Sequence, residues 1–209
     1  MAKTIEDLMR EQDSRMKTVN QNEKSELVLN PVHIWYNEDI SQITDTIFLG
    51  NLDTANNKPL LDRLQIKKII SVISSQRDTK RQTFKGIKYY NINRTDEETT
   101  NLFKFFDRCF KFIDESKNVL IHCAMGISRS STITIAYLMR KHMWSYKQAI
   151  EYVSERRRII DPNEGFKKQL QRYEKLLNNR QRRNIHRQIR SILSFILNEK
   201  IIEIIQSYL

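Results

Sequence analysis

A cysteine followed, after five intervening residues, by an arginine is the part of this sequence best suited to chemistry on phosphate. The stretch runs His122-Cys123-Ala124-Met125-Gly126-Ile127-Ser128-Arg129-Ser130. A cysteine thiolate is a good nucleophile, and the planar guanidinium of arginine matches two oxygens of one phosphate. These residue types at this spacing indicate nucleophilic attack on a phosphate ester, with Cys123 as the nucleophile and Arg129 as the charge clamp.

The flanking residues predict the elements that must hold these two side chains. An apolar run, 119–121, predicts a strand before the cysteine, and residues 131–139 suit a helix after it. The loop between them would lie at the positive end of the helix dipole, where backbone N–H groups bind anions. Gly126 permits a tight curl of the chain. The predicted phosphate-binding residues are Ala124, Met125, Gly126, Ile127, Ser128 and Arg129.

This stretch resembles the signature of the cysteine-dependent protein phosphatases, and its Gly-x-Ser-Arg-Ser ending is most similar to the dual-specificity branch. The resemblance covers roughly residues 39–177. It implies a phosphocysteine intermediate, a Ser130 hydroxyl that helps the sulfur leave, and no metal or other cofactor. The plain alternative is that Cys123 is a buried core thiol, the commonest state of a free cysteine, and Arg129 a surface charge.

An acidic residue is also needed, because the leaving oxygen departs slowly unless it is protonated. Tyr89-Tyr90-Asn91-Ile92 predicts a short strand, and an acidic run, Asp96-Glu97-Glu98, follows it. By the family resemblance, Asp96 falls on the position of the general acid. Glu97 and Glu98 are rivals for this role, and all three acids could simply favour a helix N-terminus.

A run of three arginines, 156–158, precedes an Asp161-Pro162-Asn163 turn. By the family resemblance, Arg158 lies near the rim of the pocket and binds a second phosphate of the substrate. The alternative is that these cations complement the C-terminus of a helix. His122 is expected to face away from the pocket, because neighbouring residues of a strand point to opposite faces.

Apolar strands alternate with helical segments along residues 39–177, which predicts an α/β domain with a mostly parallel sheet flanked by helices. An opening strand is expected within residues 40–50, and further strands at 69–73 and 87–92. Helices are expected at 59–64, 99–114, 130–142, 145–157 and 165–177. Residues 1–38 form a predicted N-terminal extension, and residues 178–209 a basic and amphipathic helical tail.

Composition excludes several classes of protein. No run of about 18 apolar residues is present, so we expect no membrane span. The two cysteines, Cys109 and Cys123, do not suit a disulfide scaffold and favour a cytoplasmic location, with the nucleus as an alternative. Cys109 lies in a strongly apolar stretch and is expected in the core. The four histidines show no ligand spacing with the cysteines, so no metal site is predicted.

Net charge is +11, and residues 44–177 carry 25 basic against 15 acidic side chains. This excess suits the attraction of phosphorylated, acidic protein substrates. The same positive charge also suits binding to nucleic acid. The sequence has no patch of alternating aromatic and basic residues to support such binding, so we expect no nucleic-acid partner. The loop between Cys123 and Arg129 contains no lysine, whereas the lipid phosphatases of the superfamily typically have basic residues there. The resemblance therefore disfavours a phosphoinositide substrate.

The tail combines an arginine cluster with a broad apolar helical face that includes Ile192, Phe195 and Ile196. We expect the tail to pack onto its own domain or to self-associate, and we place contact with an anionic membrane surface second.

Together the sequence patterns and the family resemblance predict a dual-specificity protein phosphatase that acts on phosphotyrosine, phosphoserine and phosphothreonine. The alternatives are a phosphoprotein-binding module of the same fold, and an RNA or lipid phosphatase.

Overall fold

The computed structural model describes residues 40–74, 82–115 and 117–207. Within them a five-stranded sheet has the order β1-β2-β5-β3-β4. The strands are β1 (Ile40–Gln42), β2 (Ile47–Gly50), β3 (Lys68–Ile73), β4 (Lys88–Asn93) and β5 (Val119–His122). All neighbouring pairs are parallel except β1 with β2, which confirms the predicted fold class. The predicted N-terminal extension, residues 1–38, lies outside the described residues.

Helices cover both faces of the sheet. They are α1 (Leu52–Asn56), α2 (Lys58–Arg63), α3 (Phe106–Asp114), α4 (Arg129–His142), α5 (Tyr146–Arg156) and α6 (Glu164–Ser207), with a 3-10 turn at Phe103–Phe105. Alternate residues of β5 enter different cores: Val119 and Ile121 pack with α3 to α6, whereas Leu120 packs with α1 and α2. Burial on both faces explains why the central strands are continuous apolar runs.

The single opening strand predicted within residues 40–50 is a hairpin of β1 and β2. Its turn is closed by Thr44, whose hydroxyl accepts hydrogen bonds from the N–H groups of Thr46 and Ile47, at 3.3 and 3.1 Å. The short polar run Thr44-Asp45-Thr46 therefore ends one strand and starts the next, because threonine hydroxyls compete with the sheet ladder for backbone donors.

The helix predicted at 99–114 begins only at Phe106, after the 3-10 turn. The reason is a side chain far away in sequence. Gln169 accepts hydrogen bonds from the N–H groups of Leu102 and Phe103, both at 2.9 Å, and donates to the carbonyl of Thr100 at 2.8 Å. These bonds satisfy the backbone of 100–103 without a helix, and they attach this segment to α6.

The last helix does not stop at Leu177 but continues to Ser207. Leu177 is its last buried residue among those with described side chains, and residues 178–196 are all exposed. The expectation that the tail folds back onto its own domain is therefore wrong for residues 178–196. No break is needed at 177, because residues 178–207 contain neither glycine nor proline, the two residues that most oppose a helix.

Candidate active site

The loop that carries the predicted nucleophile leaves the carboxyl end of β5, which lies between the parallel strands β2 and β3. This end of a parallel sheet is where α/β proteins bind ligands. Gly126 has φ +69°. A Cβ there would lie 2.6 Å from the carbonyl oxygen of Gly50 and from Nη2 of Arg157. Glycine is thus required both by the backbone conformation and by the close packing of the loop.

The carbonyl groups of this loop are bound by the surrounding structure. That of Ala124 accepts from the N–H of Leu52 at 3.1 Å, and that of Ile127 accepts from the N–H of Asp161 at 3.1 Å. Because the C=O and N–H of one peptide unit point in opposite directions, the N–H groups of the following residues face the inside of the loop. The fold therefore turns the N–H groups of Met125 and Ser128 inward, and the concave loop of residues 124–129, here called the bowl, has the backbone donors that anion sites use.

Cys123 lies at the base of this bowl with 1% of its surface exposed. Its Sγ accepts a hydrogen bond from the N–H of Gly126 at 3.2 Å and another from the hydroxyl of Ser130 at 3.1 Å. Both donors point at the sulfur atom of the predicted nucleophile. The structure thus places the predicted nucleophile and Ser130 in direct contact.

Arg129 is the first residue of α4 and is buried. Its Nη1 donates to the carbonyl of Arg94 at 3.1 Å, and its Nε lies 3.4 Å from Oδ2 of Asp96. These contacts connect the nucleophile loop with the acidic loop after β4. Burial and two separate contacts fix the orientation of the guanidinium, so that little side-chain freedom is lost when it binds an anion.

Asp96 is exposed, as are its neighbours Glu97 and Glu98, but its carboxyl group contacts the loop that carries Cys123. Its Oδ1 accepts from the hydroxyl of Ser128 at 2.7 Å and from Nδ2 of Asn163 at 2.8 Å. A carboxyl group held at one oxygen presents the other, Oδ2, toward Arg129. The structure brings together Cys123, Arg129, Ser130 and Asp96, although they come from two loops of the sheet and one helix.

Asn163 is a site residue that the sequence analysis did not single out. Its Oδ1 accepts from the N–H of Phe166 at 3.0 Å, which makes it the N-cap of α6. The sequence contains one signal that could have identified Asn163, namely an asparagine directly before a predicted helix, because asparagine is preferred at N-caps. Gly165 allows the helix start to lie against the acidic loop, because a Cβ there would be 2.0 Å from the carbonyl oxygen of Glu98.

The arginine that supports the loop is Arg157, not Arg158. Arg157 is buried, and its Nε donates to the carbonyl of Gly126 at 2.8 Å, while its Nη1 lies 3.3 Å from the Ser41 hydroxyl. Arg158 is exposed. Its role in binding a second phosphate stays a prediction.

Other polar residues of the sequence analysis have structural positions. The Nε2 of His122 is 2.7 Å from the hydroxyl of Ser71 and its Nδ1 is 3.2 Å from the carbonyl oxygen of Cys123. His122 therefore contacts the backbone at the start of the loop, as expected.

Cys109 is fully buried in the core, and burial raises the pKa of its thiol to about 12. A core position for Cys109 is confirmed.

In the part of the chain that the structure describes, no group of three or more His, Cys, Asp or Glu side chains is arranged to hold a metal ion. Nor does that part contain a helix with both the length and the apolar character needed to span a bilayer.

Comparisons with known proteins agree on one family. The family model of the dual specificity phosphatase catalytic domain matches residues 47–176. Dual specificity protein phosphatase 1 of Arabidopsis thaliana is 41% identical over 139 residues, which are 65% of this chain and 69% of that protein. Protein phosphatase Slingshot of Drosophila melanogaster is 36% identical over 141 residues, 66% of this chain but only 13% of that protein.

Solved structures give the same result. The human tyrosine phosphatase-like serine/threonine/tyrosine-interacting protein matches with a TM-score of 0.64 and 33% identity, over 67% of this chain and 98% of that one. DUSP15 matches with a TM-score of 0.60 and 28% identity, over 69% of this chain and 97% of that one. The family model, the relatives and the solved structures lead to one conclusion. The chain belongs to the dual specificity phosphatase family and is a protein phosphatase.

Proposed function

We propose that this enzyme hydrolyses phosphotyrosine, phosphoserine and phosphothreonine in proteins through a phosphocysteine intermediate. The observation that carries the proposal is the pair of donors to Sγ of Cys123 at the base of a bowl of backbone N–H groups. A nucleophile in such a bowl meets phosphorus while the non-bridging oxygens of the phosphate are bound.

In the first step the thiolate of Cys123 attacks phosphorus, forming the S–P bond as the P–O bond to the protein side chain breaks. Arg129 and the loop N–H groups bind the three equatorial oxygens, over which negative charge spreads in the transition state. Asp96 gives its proton to the leaving oxygen. Oδ1 of Asp96 accepts two hydrogen bonds and Oδ2 lies 3.4 Å from Nε of Arg129, so the carboxyl group is held beside the loop where the leaving oxygen departs.

In the second step a water attacks the phosphocysteine, and the S–P bond breaks to release inorganic phosphate. The carboxylate of Asp96 now takes a proton from that water, and the sulfur leaves as a thiolate. The hydroxyl of Ser130, 3.1 Å from Sγ, donates to the sulfur as its charge develops.

The substrate class is supported by the surroundings of the bowl. Met125, in the loop itself, is 66% exposed and offers an apolar contact at the entrance. No basic side chain occurs between Cys123 and Arg129. Such a site recognises one phosphate beside an apolar or aromatic group better than several phosphates on one ring, which favours phosphoproteins over inositol phosphates.

A phosphoprotein-binding module is the alternative from another class. One structural relative is named tyrosine phosphatase-like and interacting protein, so the fold by itself does not decide the matter. Here the chain has both Cys123 and Asp96, and each has the contacts that catalysis would use. Retention of the nucleophile and of the candidate acid supports turnover.

The test is a substrate panel with single-turnover kinetics. Peptides with phosphotyrosine, phosphoserine or phosphothreonine should release phosphate, whereas phosphoinositides and triphosphorylated RNA should not. An acid quench during turnover should trap one phosphate on Cys123, identified by mass spectrometry. Cys123→Ser should abolish turnover and retain phosphopeptide binding, with Cys109→Ser as the matched control that remains active. Turnover by Cys123→Ser at the wild-type rate, or hydrolysis of phosphoinositides alone, would refute the proposal.

A further inference from the structure

In the part of the chain that the structure describes, residues 178–196 of α6 are exposed and present an apolar face. Ile185, Ile189, Ile192 and Ile196 are each between 43% and 58% exposed. Leu193 and Phe195, beside them, are 52% and 63% exposed. These six large apolar side chains lie within twelve residues and form one patch, whereas exposed apolar residues on a protein surface are normally scattered singly. Such a patch marks an interaction surface.

The spacing of the isoleucines identifies the kind of partner. They recur after four, three and four residues, which is the a and d pattern of a coiled-coil seam. Arg180, Arg183, Arg187 and Arg190 recur at the same helical period on the opposite side of the helix. The isoleucines therefore form a straight seam with Leu193 and Phe195 on its two sides, as a partner helix requires, and the charges of the arginine stripe stay in water.

We infer that this seam is an interface with a second copy of the chain, in which the two α6 helices pack antiparallel. Extending the spacing in both directions reaches Arg182 before the seam and Glu199 after it. In an antiparallel pair centred between Ile189 and Ile192, each Arg182 position lies opposite a Glu199 position of the other copy. The isoleucine layers are then flanked at both ends by opposite charges.

A parallel pair is disfavoured by the same residues. It would put Arg182 against Arg182 and Glu199 against Glu199 in the seam, and like charges at core positions oppose association. It would also bring both catalytic domains to the same end. The antiparallel pair separates them, because residues 178–203 of each helix, about 39 Å at 1.5 Å per residue, lie side by side between the domains.

A membrane surface fits this helix less well. If the isoleucine seam entered the lipid, the arginine stripe on the other side would be held away by roughly the 10 Å diameter of a helix. That distance is about one Debye length at physiological salt, so the attraction to anionic headgroups would be strongly screened. Four apolar layers are few for a coiled coil, and we therefore expect a dimer that dissociates at micromolar concentrations.

Sedimentation velocity of the full chain over a concentration series tests the inference. The expected result is a monomer of 25.1 kDa that converts to a species of twice that mass as concentration rises. Ile189→Asp with Ile192→Asp should remain monomeric over the same range. The matched control on the opposite face, Arg183→Gln with Arg187→Gln, should dimerise like the wild type. Hydrolysis of a generic aryl phosphate should be unchanged in both, which shows that the domain is folded.

Charge exchange tests the orientation. Arg182→Glu alone and Glu199→Arg alone should each weaken dimerisation, whereas the double variant should restore it. A full chain that is monomeric at every concentration would overturn the inference. Sedimentation of that monomer with phosphatidylserine vesicles would indicate a membrane surface as the partner, and cross-links from residues 1–39 to this helix would indicate an intramolecular partner. A dimer that is insensitive to the Ile189 and Ile192 changes would also overturn the inference. These outcomes do not depend on the proposed substrate class.

Discussion

Asn163 donates a hydrogen bond from Nδ2 to Oδ1 of Asp96 at 2.8 Å, while its own side-chain oxygen caps helix α6. One side chain thus fixes both the start of the last helix and the orientation of the candidate acid. The capping bond restrains the asparagine, and the restrained asparagine restrains the carboxyl group. The position of the acid is therefore coupled to the folding of α6.

Asn163→Ala should cost about 1 kcal/mol of unfolding free energy through loss of the cap. It should also lower kcat, because Asp96 loses one of its two orienting bonds. The control is Ser145→Ala, which removes the N-cap of α5, where the serine hydroxyl accepts from the N–H of Gln148 and no capping bond of Ser145 involves Asp96. Equal activity of the two variants in a phosphopeptide assay would contradict a positioning role for Asn163.

Asp96→Asn should lower the rate by roughly a hundredfold or more for phosphoserine peptides, since general acid catalysis contributes factors of that size. The loss should be smaller for an aryl phosphate with a good leaving group, which needs less protonation. Glu97→Gln is the control and should leave the rate unchanged for both substrates. A larger effect from Glu97→Gln would show that the acid is misassigned.

Gly126→Ala should reduce activity by roughly a hundredfold, because displacement of the loop by about an ångström misaligns the nucleophile. The new methyl group would meet the carbonyl oxygen of Gly50 and the guanidinium of Arg157. Gly86→Ala isolates the backbone strain, since Gly86 also has positive φ, +86°, but has nothing within 4 Å of a Cβ. It should lose about 1 kcal/mol of stability and keep full activity. Similar kinetics for the two variants would refute the packing argument.

The two neighbouring arginines should differ in kinetic effect. Arg157→Lys removes the Nε donor to the carbonyl of Gly126 and should lower kcat for every substrate. Arg158→Lys should leave kcat unchanged for a singly phosphorylated peptide. If Arg158 binds a second phosphate as predicted, its substitution by alanine should raise KM for a doubly phosphorylated peptide alone. Equal KM increases for both peptides would exclude that role.

Stability should fall at alkaline pH, partly because of Cys109. Burial raises the pKa of this thiol from 9.0 to about 12, so the folded protein keeps the proton where the unfolded chain releases it. The stabilisation is complete below pH 9 and is lost progressively as the pH approaches 12. Chemical denaturation between pH 8 and 10 should show a steeper decline for the wild type than for Cys109→Ala. Parallel curves would show that Cys109 does not titrate in this way.

The strand, loop and helix that hold Cys123 could be predicted from sequence because they are adjacent in the chain. Cys123, Gly126, Arg129 and Ser130 lie within eight residues between a strand and a helix, and a short loop in that setting can fold in few ways. The apolar runs of the central strands likewise indicated the parallel sheet, because strands buried on both faces must be apolar throughout.

Tertiary structure decided what depends on contacts between distant residues. Asn163 hydrogen-bonds Asp96, from which it is separated by 67 positions of sequence. Gln169 accepts hydrogen bonds from the N–H groups of Leu102 and Phe103, so that no α-helix begins there. The choice of Arg157 over Arg158 follows from the extended backbone of Arg157 at the end of α5, φ −143° and ψ 93°, which directs its side chain to the loop. Three consecutive arginines look alike in sequence, and only the path of the backbone decides which of them is buried.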